Sequence, residues 1–307
     1  MGLITAEPHI HPKFLFYAMT SQAYKEFIGS LSNGMNINNL KFDDLRLFAF
    51  PVPPLPEQQR VAAILDEAFE GISMAVSNAE KNLANARELF DSYLDSIFIT
   101  KGAGSVETTL GKVCKFHGGS QPPKSVFSAD SGPEKIRLIQ IRDYKSDRHV
   151  VFIPKSLARR FCDTTDVMIG RYGPPLFQIL RGLDGAYNVA LMKAVPDQSV
   201  LSKDYLFYFL KNRHILRYII HASNRAAGQI GLNKETLEPY PISFPALKEQ
   251  SKIVSRIGEI AAQQENLERI YEAKLNALTE LKRTILHKAF TGELTARPEK
   301  ILEGVAA

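Results

Sequence analysis

Pro53-Pro54-Leu55-Pro56-Glu57-Gln58 recurs as Pro245-Ala246-Leu247-Lys248-Glu249-Gln250, 192 residues further on. The offset then continues without a gap: Val61 meets Ile253, Leu65 meets Ile257, Leu83 meets Leu275, Leu89 meets Leu281, Leu94 meets Leu286 and Phe98 meets Phe290. Upstream, at an offset of 191, Phe14-Leu15-Phe16-Tyr17 matches Tyr205-Leu206-Phe207-Tyr208, and Ile28 matches Ile219. A collinear series of this length makes residues 14–98 and 205–290 two copies of one unit. The second copy is preceded by residues 105–203, which have no counterpart ahead of the first. The chain therefore reads as a two-copy protein lacking most of its first globular half.

Each signature hexapeptide opens a long helical pattern. Val61, Leu65, Ala68, Ile72, Val76, Ala79, Leu83, Ala86, Phe90, Tyr93 and Ile97 are spaced almost entirely by alternating fours and threes, the seam of a coiled coil. Proline is absent from Glu57 to Thr100, and Lys101-Gly102-Ala103-Gly104 supplies a stop. At 1.5 Å per residue such a helix is a rod of about 65 Å. The second helix, about 248–291, carries Ile253, Ile257, Ile260, Leu267, Tyr271, Leu275, Leu278 and Ile285 and ends at Thr291-Gly292. Its centre, Ala261-Ala262-Gln263-Gln264-Glu265, is weak for a core. A small domain cannot bury stripes this long, so the two helices are expected to pack antiparallel. Leu65, Ile72, Leu83, Phe90 and Ile97 would pack against Ile257, Leu267, Leu275, Leu278 and Ile285. An ordinary helical bundle is the plainer alternative.

Between the helices the texture changes. Short apolar runs at 135–141, 150–153, 166–169, 176–180 and 187–194 are punctuated by Gly, Pro, Asp and Ser and predict strands. Residues 202–222 predict a helix. The fold class is α+β, a globular mixed domain flanked by two long helices. Boundaries fall at 1–52, 53–104, 105–245, 246–292 and a tail at 293–307.

Charge is unevenly spread over the 307 residues. Residues 105–245 hold 20 Lys and Arg against 12 Asp and Glu, whereas the rest holds 18 against 21. A basic globular unit between neutral or acidic arms suits phosphate binding. Several of its loops pair glycine with base-reading or phosphate-binding side chains. One is Gly118-Gly119-Ser120-Gln121-Pro122-Pro123-Lys124, a second is Gly170-Arg171-Tyr172-Gly173, and a third is Ala226-Ala227-Gly228-Gln229. Arg can take two bonds to guanine, Gln two to adenine, and Lys a phosphate. Candidate DNA contacts are Ser120, Gln121, Lys124, Arg142, Lys145, Arg148, Arg171, Tyr172, Arg181, Arg225 and Gln229. Each taken alone is also compatible with a solvated turn.

No phosphate-cradling GxxxxGK[ST] or nucleotide-binding Gly-rich loop is present. Gln121-Pro122-Pro123-Lys124 lacks the aromatic of an amino-methyltransferase motif, and Pro196-Asp197 has no following nuclease partner. Cys114-x-x-His117 and His9-x-His11 are at best half of a metal site, so no metal ligand set is assigned. Two cysteines, no apolar run near the roughly 18 residues that span a bilayer, and no basic-then-apolar start lead to the expectation of a cytoplasmic protein.

The arrangement resembles a known family. A globular part, a Pro-rich connector, Pro-x-Leu-x-Glu-Gln and a long helix, then the same again, is the layout of DNA specificity subunits of type I restriction-modification enzymes. Phe116-His117-Gly118-Gly119-Ser120-Gln121-Pro122, Ile139-Gln140-Ile141-Arg142-Asp143, 166–173 and Gly228-Gln229-Ile230-Gly231-Leu232 resemble successive motifs of their target-recognition domains. The resemblance covers essentially the whole chain. It implies a non-catalytic recognition and scaffold subunit, each recognition domain reading one half of a split target and the helices setting the distance between halves. Adenine methyltransferase subunits would dock on it, with Glu57, Gln58, Glu249 and Gln250 as candidate partner contacts. S-adenosylmethionine would be bound by those partners, and the chain itself would need no cofactor. Nuclease-translocase subunits would complete the restriction complex. With only residues 1–52 left of a first recognition domain, two chains could pair as a homodimer to restore two readers. The competing class is a coiled-coil interaction protein, or decoy, that binds the methyltransferase without touching DNA.

Overall fold

A computed structural model describes residues 4–31, 42–99, 104–173, 175–225 and 231–295. In chain order the helices and strands begin with α1 (Pro12–Ala18), α2 (Gln22–Leu31), α3 (Phe42–Leu45) and the long α4 (Leu55–Ile99). Next come β1 (Val106–Thr109), α5 (Leu110–Val113), β2 (Cys114–Gly118), β3 (Lys135–Ile139), β4 (Phe152–Pro154), β5 (Phe161–Cys162), β6 (Val167–Gly170), β7 (Gln178–Leu180), β8 (Gly185–Tyr187) and β9 (Leu191–Pro196). The chain continues through α6 (Lys203–Leu210), α7 (Arg213–Arg225), α8 (Lys234–Leu237) and β10 (Pro241–Phe244) to the second long helix, α9 (Leu247–Phe290). Both long helices match the sequence expectation to within about two residues at either end, as is usual for frayed boundaries. Among the described residues no helix is long and apolar enough to cross a membrane.

The chain forms two compact units, residues 1–86 with 266–307 and residues 87–265. In the first, Phe14 and Tyr17 of α1 join Val61 and Leu65 of α4 and Leu286 and Ala289 of α9 in one apolar cluster. Lys282 lies over the Phe69 ring at 4.9 Å, so α4 and α9 run in opposite directions there. In the second unit, β2-β9-β6-β7 form an antiparallel sheet and β4-β3-β8-β5 a mixed one in which β3 and β8 are parallel. A β1–β10 ribbon brings together the two ends of the segment between the long helices. Its largest core joins Val167, Ile169, Met192 and Ala194 of the first sheet to Leu206 of α6, Leu94 of α4 and Ile257 of α9. The expected helix-packing positions Leu65 and Ile257 are fully buried and Ile72 nearly so. Phe90, Ile97 and Ile285 pack against the cores, and Leu83, Leu275 and Leu278 are half-buried. Leu267 departs from the expectation. It is 41% exposed, because the less exposed positions run through Ala261, Gln264, Glu268 and Tyr271, a regular seam that passes Leu267 by.

Two elements read as continuous are divided, each by an asparagine. The run 187–194 is a turn between β8 and β9, since Asn188 Oδ1 accepts the Ala190 N–H. The helix expected over 202–222 breaks at Asn212, whose Oδ1 accepts the N–H groups of His214 and Ile215 and starts α7. The run 135–141 ends early as well. Its last residues enter a 3-10 turn at Ile141–Tyr144, fixed by a capping box between Gln140 and Asp143.

The repeated hexapeptide acts through its glutamine. Gln58 is 1% exposed: its Oε1 accepts the His11 N–H (2.8 Å), and its Nε2 donates to the carbonyls of His9 (3.0 Å) and Pro53 (2.8 Å). Gln250, fully buried, repeats the pattern with Ser202 N–H (2.9 Å), Val200 O (2.7 Å) and Pro245 O (2.8 Å). The expectation that Gln58 and Gln250 contact partners is thus corrected: both are internal latches with no surface to offer. Glu249 is exposed and paired with Lys252, and Glu57 is half-buried.

Two outcomes test these contacts. Gln250→Leu strands three buried backbone groups and should cost about 3 kcal/mol in urea unfolding, whereas Glu249→Ala should stay within about 0.5 kcal/mol. Asp166 supplies a pH dependence. Burial raises its pKa, but hydrogen bonds from Lys203 and Lys193 outweigh this and hold it below the usual 3.8. A depressed folded value means the contribution is complete above the unfolded value and is lost as pH falls through the folded one. Acid titration of stability should therefore steepen below about pH 4 in the wild type and be shallower in Asp166→Asn.

Candidate nucleic-acid interface

Two of the three loops singled out by their glycines, 118–124 and 170–173, meet at the turn between β8 and β9, and the third, 226–229, lies outside the described residues. Gly119 N–H donates to Leu191 O (3.0 Å) and Ser120 N–H to Tyr187 O (3.1 Å), which lays the loop after β2 against that turn. Asn188 N–H donates to Ile139 O (3.1 Å) at the end of β3, just ahead of the 3-10 turn that carries Arg142. Arg171 N–H donates to Ala190 O (2.9 Å), and Leu232 N–H to Arg171 O (3.0 Å), adding the loop after β6 and the segment before α8. Four chain segments far apart in sequence thus share one rim. Gly119 is required there: a Cβ at this position would stand 1.9 Å from the Asn188 carbonyl oxygen. Gly231 is similarly tight, because a Cβ would come within 2.4 Å of the Tyr172 ring.

The basic groups at this rim divide into occupied and available. Arg171 is occupied. Its guanidinium donates to Leu232 O (2.8 Å), Asn233 Oδ1 (3.2 Å) and Val189 O (3.3 Å), and lies 5.3 Å from the Tyr172 ring centre. Three of its five N–H donors are thus used on the chain's own acceptors, so Arg171 clamps the loops together in addition to standing at the rim. Arg181 is not at this rim: it follows β7, whose Gln178 pairs with Gly170 and Leu180 with Met168, so it lies toward the other end of the sheet, paired with Asp204 at 2.7 Å and stacked 3.9 Å over Phe207. Tyr172 keeps a partly open ring, at 38% exposure. Lys124, Lys145 and Arg148 are exposed and Ser120 is half-buried. Gln121 is exposed, with its amide donating to Pro122 O at 3.3 Å. Arg142 is half-exposed and donates to His149 O at 3.3 Å. The Arg225 side chain and the whole of Gln229 lie outside the described residues.

Asp143, which the sequence offers only as part of a motif and not as a site residue, and Arg137 support this rim. The Asp143 side chain is fully buried, accepts the Gln140 N–H (3.0 Å) and sits 3.9 Å from both Arg137 and Arg142. Burial pushes its carboxyl above the usual range, although the Gln140 hydrogen bond and the two guanidinium charges oppose it. Arg137 also pairs with Asp147 at 2.8 Å, and Ser146 accepts the Arg148 N–H. These contacts hold the backbone that presents Arg142, Lys145 and Arg148. The signal for Asp143 lay in its capping-box spacing from Gln140, which short 3-10 turns disguise.

Among the described residues no group of three or more His, Cys, Asp and Glu is arranged to hold a metal. Cys114 and His117 lie on opposite faces of β2, and burial pushes the Cys114 thiol up to about 12. Gly119→Ala should force the loop after β2 off the Asn188 turn, at a cost of about 2–3 kcal/mol. Hydrogen exchange should then show loss of protection at the Gly119 and Ser120 amides.

Comparison with known proteins agrees with this architecture. The sequence model of the type I restriction modification DNA specificity domain matches residues 1–82 and 104–276. The StySPI type I restriction enzyme specificity subunit of Salmonella potsdam is 22% identical, over 96% of this chain and 68% of that protein. The EcoKI specificity subunit of Escherichia coli K12 is 24% identical with the same coverage. In three dimensions the chain superposes with a TM-score of 0.78, at 24% identity, on a structure described as the basis of complex assembly and conformational transition of the type I R-M system. The match covers 95% of this chain and 74% of that one. The HsdS subunit of Thermoanaerobacter tengcongensis gives a TM-score of 0.55 at 23% identity, over 93% of this chain and 71% of that one. With the family's model matching most of its residues, this chain belongs to the type I restriction modification DNA specificity domain family.

Proposed function

We infer that this chain is the DNA sequence-recognition and scaffold subunit of a type I restriction-modification complex, with the chemistry performed by its partners. The observation that carries the reading is the meeting of four segments at the β8–β9 turn, within a basic domain that the family model covers. Residues 105–245 would form the recognition domain, with β1 and β10 as its paired ends. Lys124, Lys145 and Arg148 would neutralise phosphates. Ser120, Gln121, Arg142 and Tyr172 would face the bases, and Arg225 and Gln229 remain candidates from sequence. The long helices would carry the scaffold function, with Glu57 and Glu249 at their outer starts available to methyltransferase subunits. Those partners would bind S-adenosylmethionine and methylate adenine, and restriction subunits would add cleavage. Acting on DNA together with such partners, the protein would work in the cytoplasm. The reading as an interaction protein that never touches DNA is less well supported, because the family match includes the loop-bearing domain.

Long-read methylation mapping in cells expressing this chain with its methyltransferase subunits tests the function directly. A methyladenine motif that appears only when both are present is the expected result, and its absence despite a stable complex would reduce the role to assembly. In binding assays, changing Lys124, Lys145 or Arg148 to Gln should lower the slope of log K against log salt by about 0.9 each, with sequence preference retained. Lys274→Gln, on the exposed face of α9, should leave the slope unchanged.

A further inference from the structure

Arg159-Arg160-Phe161 stands at the same rim and is not among the contacts considered so far. Phe161 lies on β5, the edge strand of the β4-β3-β8-β5 sheet. It pairs across to Ala186, which in turn pairs with Leu138. Those two neighbours are 2% and 1% exposed, yet Phe161 is 52% exposed. Its strand partner Cys162 is buried, so the strand is anchored while the aromatic is left open. Leu157, at 39% exposure, adds a second apolar side chain nearby in sequence.

A single exposed aromatic is ordinary on a protein surface. Its setting is what distinguishes this one. The Arg160 carbonyl accepts the Tyr187 N–H (3.0 Å), and the Tyr187 carbonyl accepts the Ser120 N–H, so the tripeptide is one strand away from the glycine loop. Both arginines are exposed, and among the described residues neither guanidinium is paired with a carboxylate. From Arg148 to Cys162 the sequence contains four Lys and Arg and no Asp or Glu. An unpaired cationic segment with an open aromatic at its end complements a polyanion that also offers apolar surface. Duplex DNA does so through its phosphates, its thymine methyl groups and its base steps.

We propose that Arg159 and Arg160 clamp phosphates of the bound duplex while Phe161 makes an apolar contact with its bases, contributing to sequence discrimination from the edge of the sheet. This rests on the DNA-reading function inferred above and extends it to an element outside the glycine loops. The clamp supplies affinity for any sequence, and the aromatic supplies preference.

The test uses the full chain assembled with its methyltransferase subunits and a pool of randomised duplexes, from which the wild type selects its preferred sequence. Arg159→Gln/Arg160→Gln should weaken binding to preferred and random duplexes alike and lower the salt slope by about two. Phe161→Ala should lower the preference for the selected duplex at least about tenfold with the slope unchanged, and Phe161→Leu should keep most of it. Thermal unfolding should be close to wild type for all three. If the variants bind both duplexes as the wild type does, the proposal is overturned and the recognition function stands. Loss of methyltransferase assembly with DNA binding intact would overturn it in favour of a protein contact. A wild-type complex that enriches no sequence would remove the underlying function as well.

Discussion

A buried glutamine amide at the start of each long helix is the contact on which the architecture depends. Gln58 and Gln250 each bind three backbone groups, drawn from the connector and from the residues that lead into α1 or α6. A buried primary amide with both ends engaged tolerates little displacement, since any unmade bond leaves a buried polar group unsatisfied. The latch therefore fixes where the globular part ends and in which direction the rod departs. Its repetition explains why the hexapeptide recurs while much of the surrounding sequence drifts. Apolar side chains can exchange volume among neighbours, whereas a donor–acceptor set of this kind has few substitutes.

Charged contacts tie short helices to the long one in both units: Lys13 and Tyr17 of α1 bind Asp66 of α4 in the first, and the second has a larger set. Arg213 binds both carboxylate oxygens of Asp95 through its backbone N–H and Nε, and reaches Glu88 at 2.8 Å. Glu88 and Asp95 both lie on α4, so α7 is tied to a helix rather than only packed on it. The position aligned with Arg213 in the first copy is Gln22, which has no such charge. Asp166, held between Lys193 and Lys203, similarly ties β6 to β9 and α6. The carboxylates of Asp95 and Asp166 in these pairs are largely buried, whereas Glu88 is exposed, and the buried pairs stiffen the frame behind the loops.

That frame engages some of the basic residues and leaves others exposed. Arg171 and Arg181 resemble Lys124 and Arg148 in composition, but their guanidiniums are held by acceptors of the chain itself. Arg171 helps to hold the rim in shape, and Arg181 ties the end of β7 to α6. The position of Gly119 against Asn188 shows the same division, with backbone proximity reserved for assembling loops on each other.

The internal repeat, the two long helices, the α+β class and the basic middle domain were all legible in the residues. Each depends on a pattern that local spacing or composition carries: periodicity, collinear repetition and charge. The Leu267 seam position, the unbroken strand at 187–194 and the unbroken helix at 202–222 were misread because local pattern cannot see what a side chain meets. Asn188 and Asn212 looked like polar residues within apolar runs until their side chains were found capping the next turn. Gln58 and Gln250 looked like a surface signature and proved to be interior. The sequence by itself determined which segments exist and what charge they bear. Only the tertiary structure decided which polar groups are satisfied inside and which face solvent, because burial and hydrogen-bond partnership are set by residues far away in the chain.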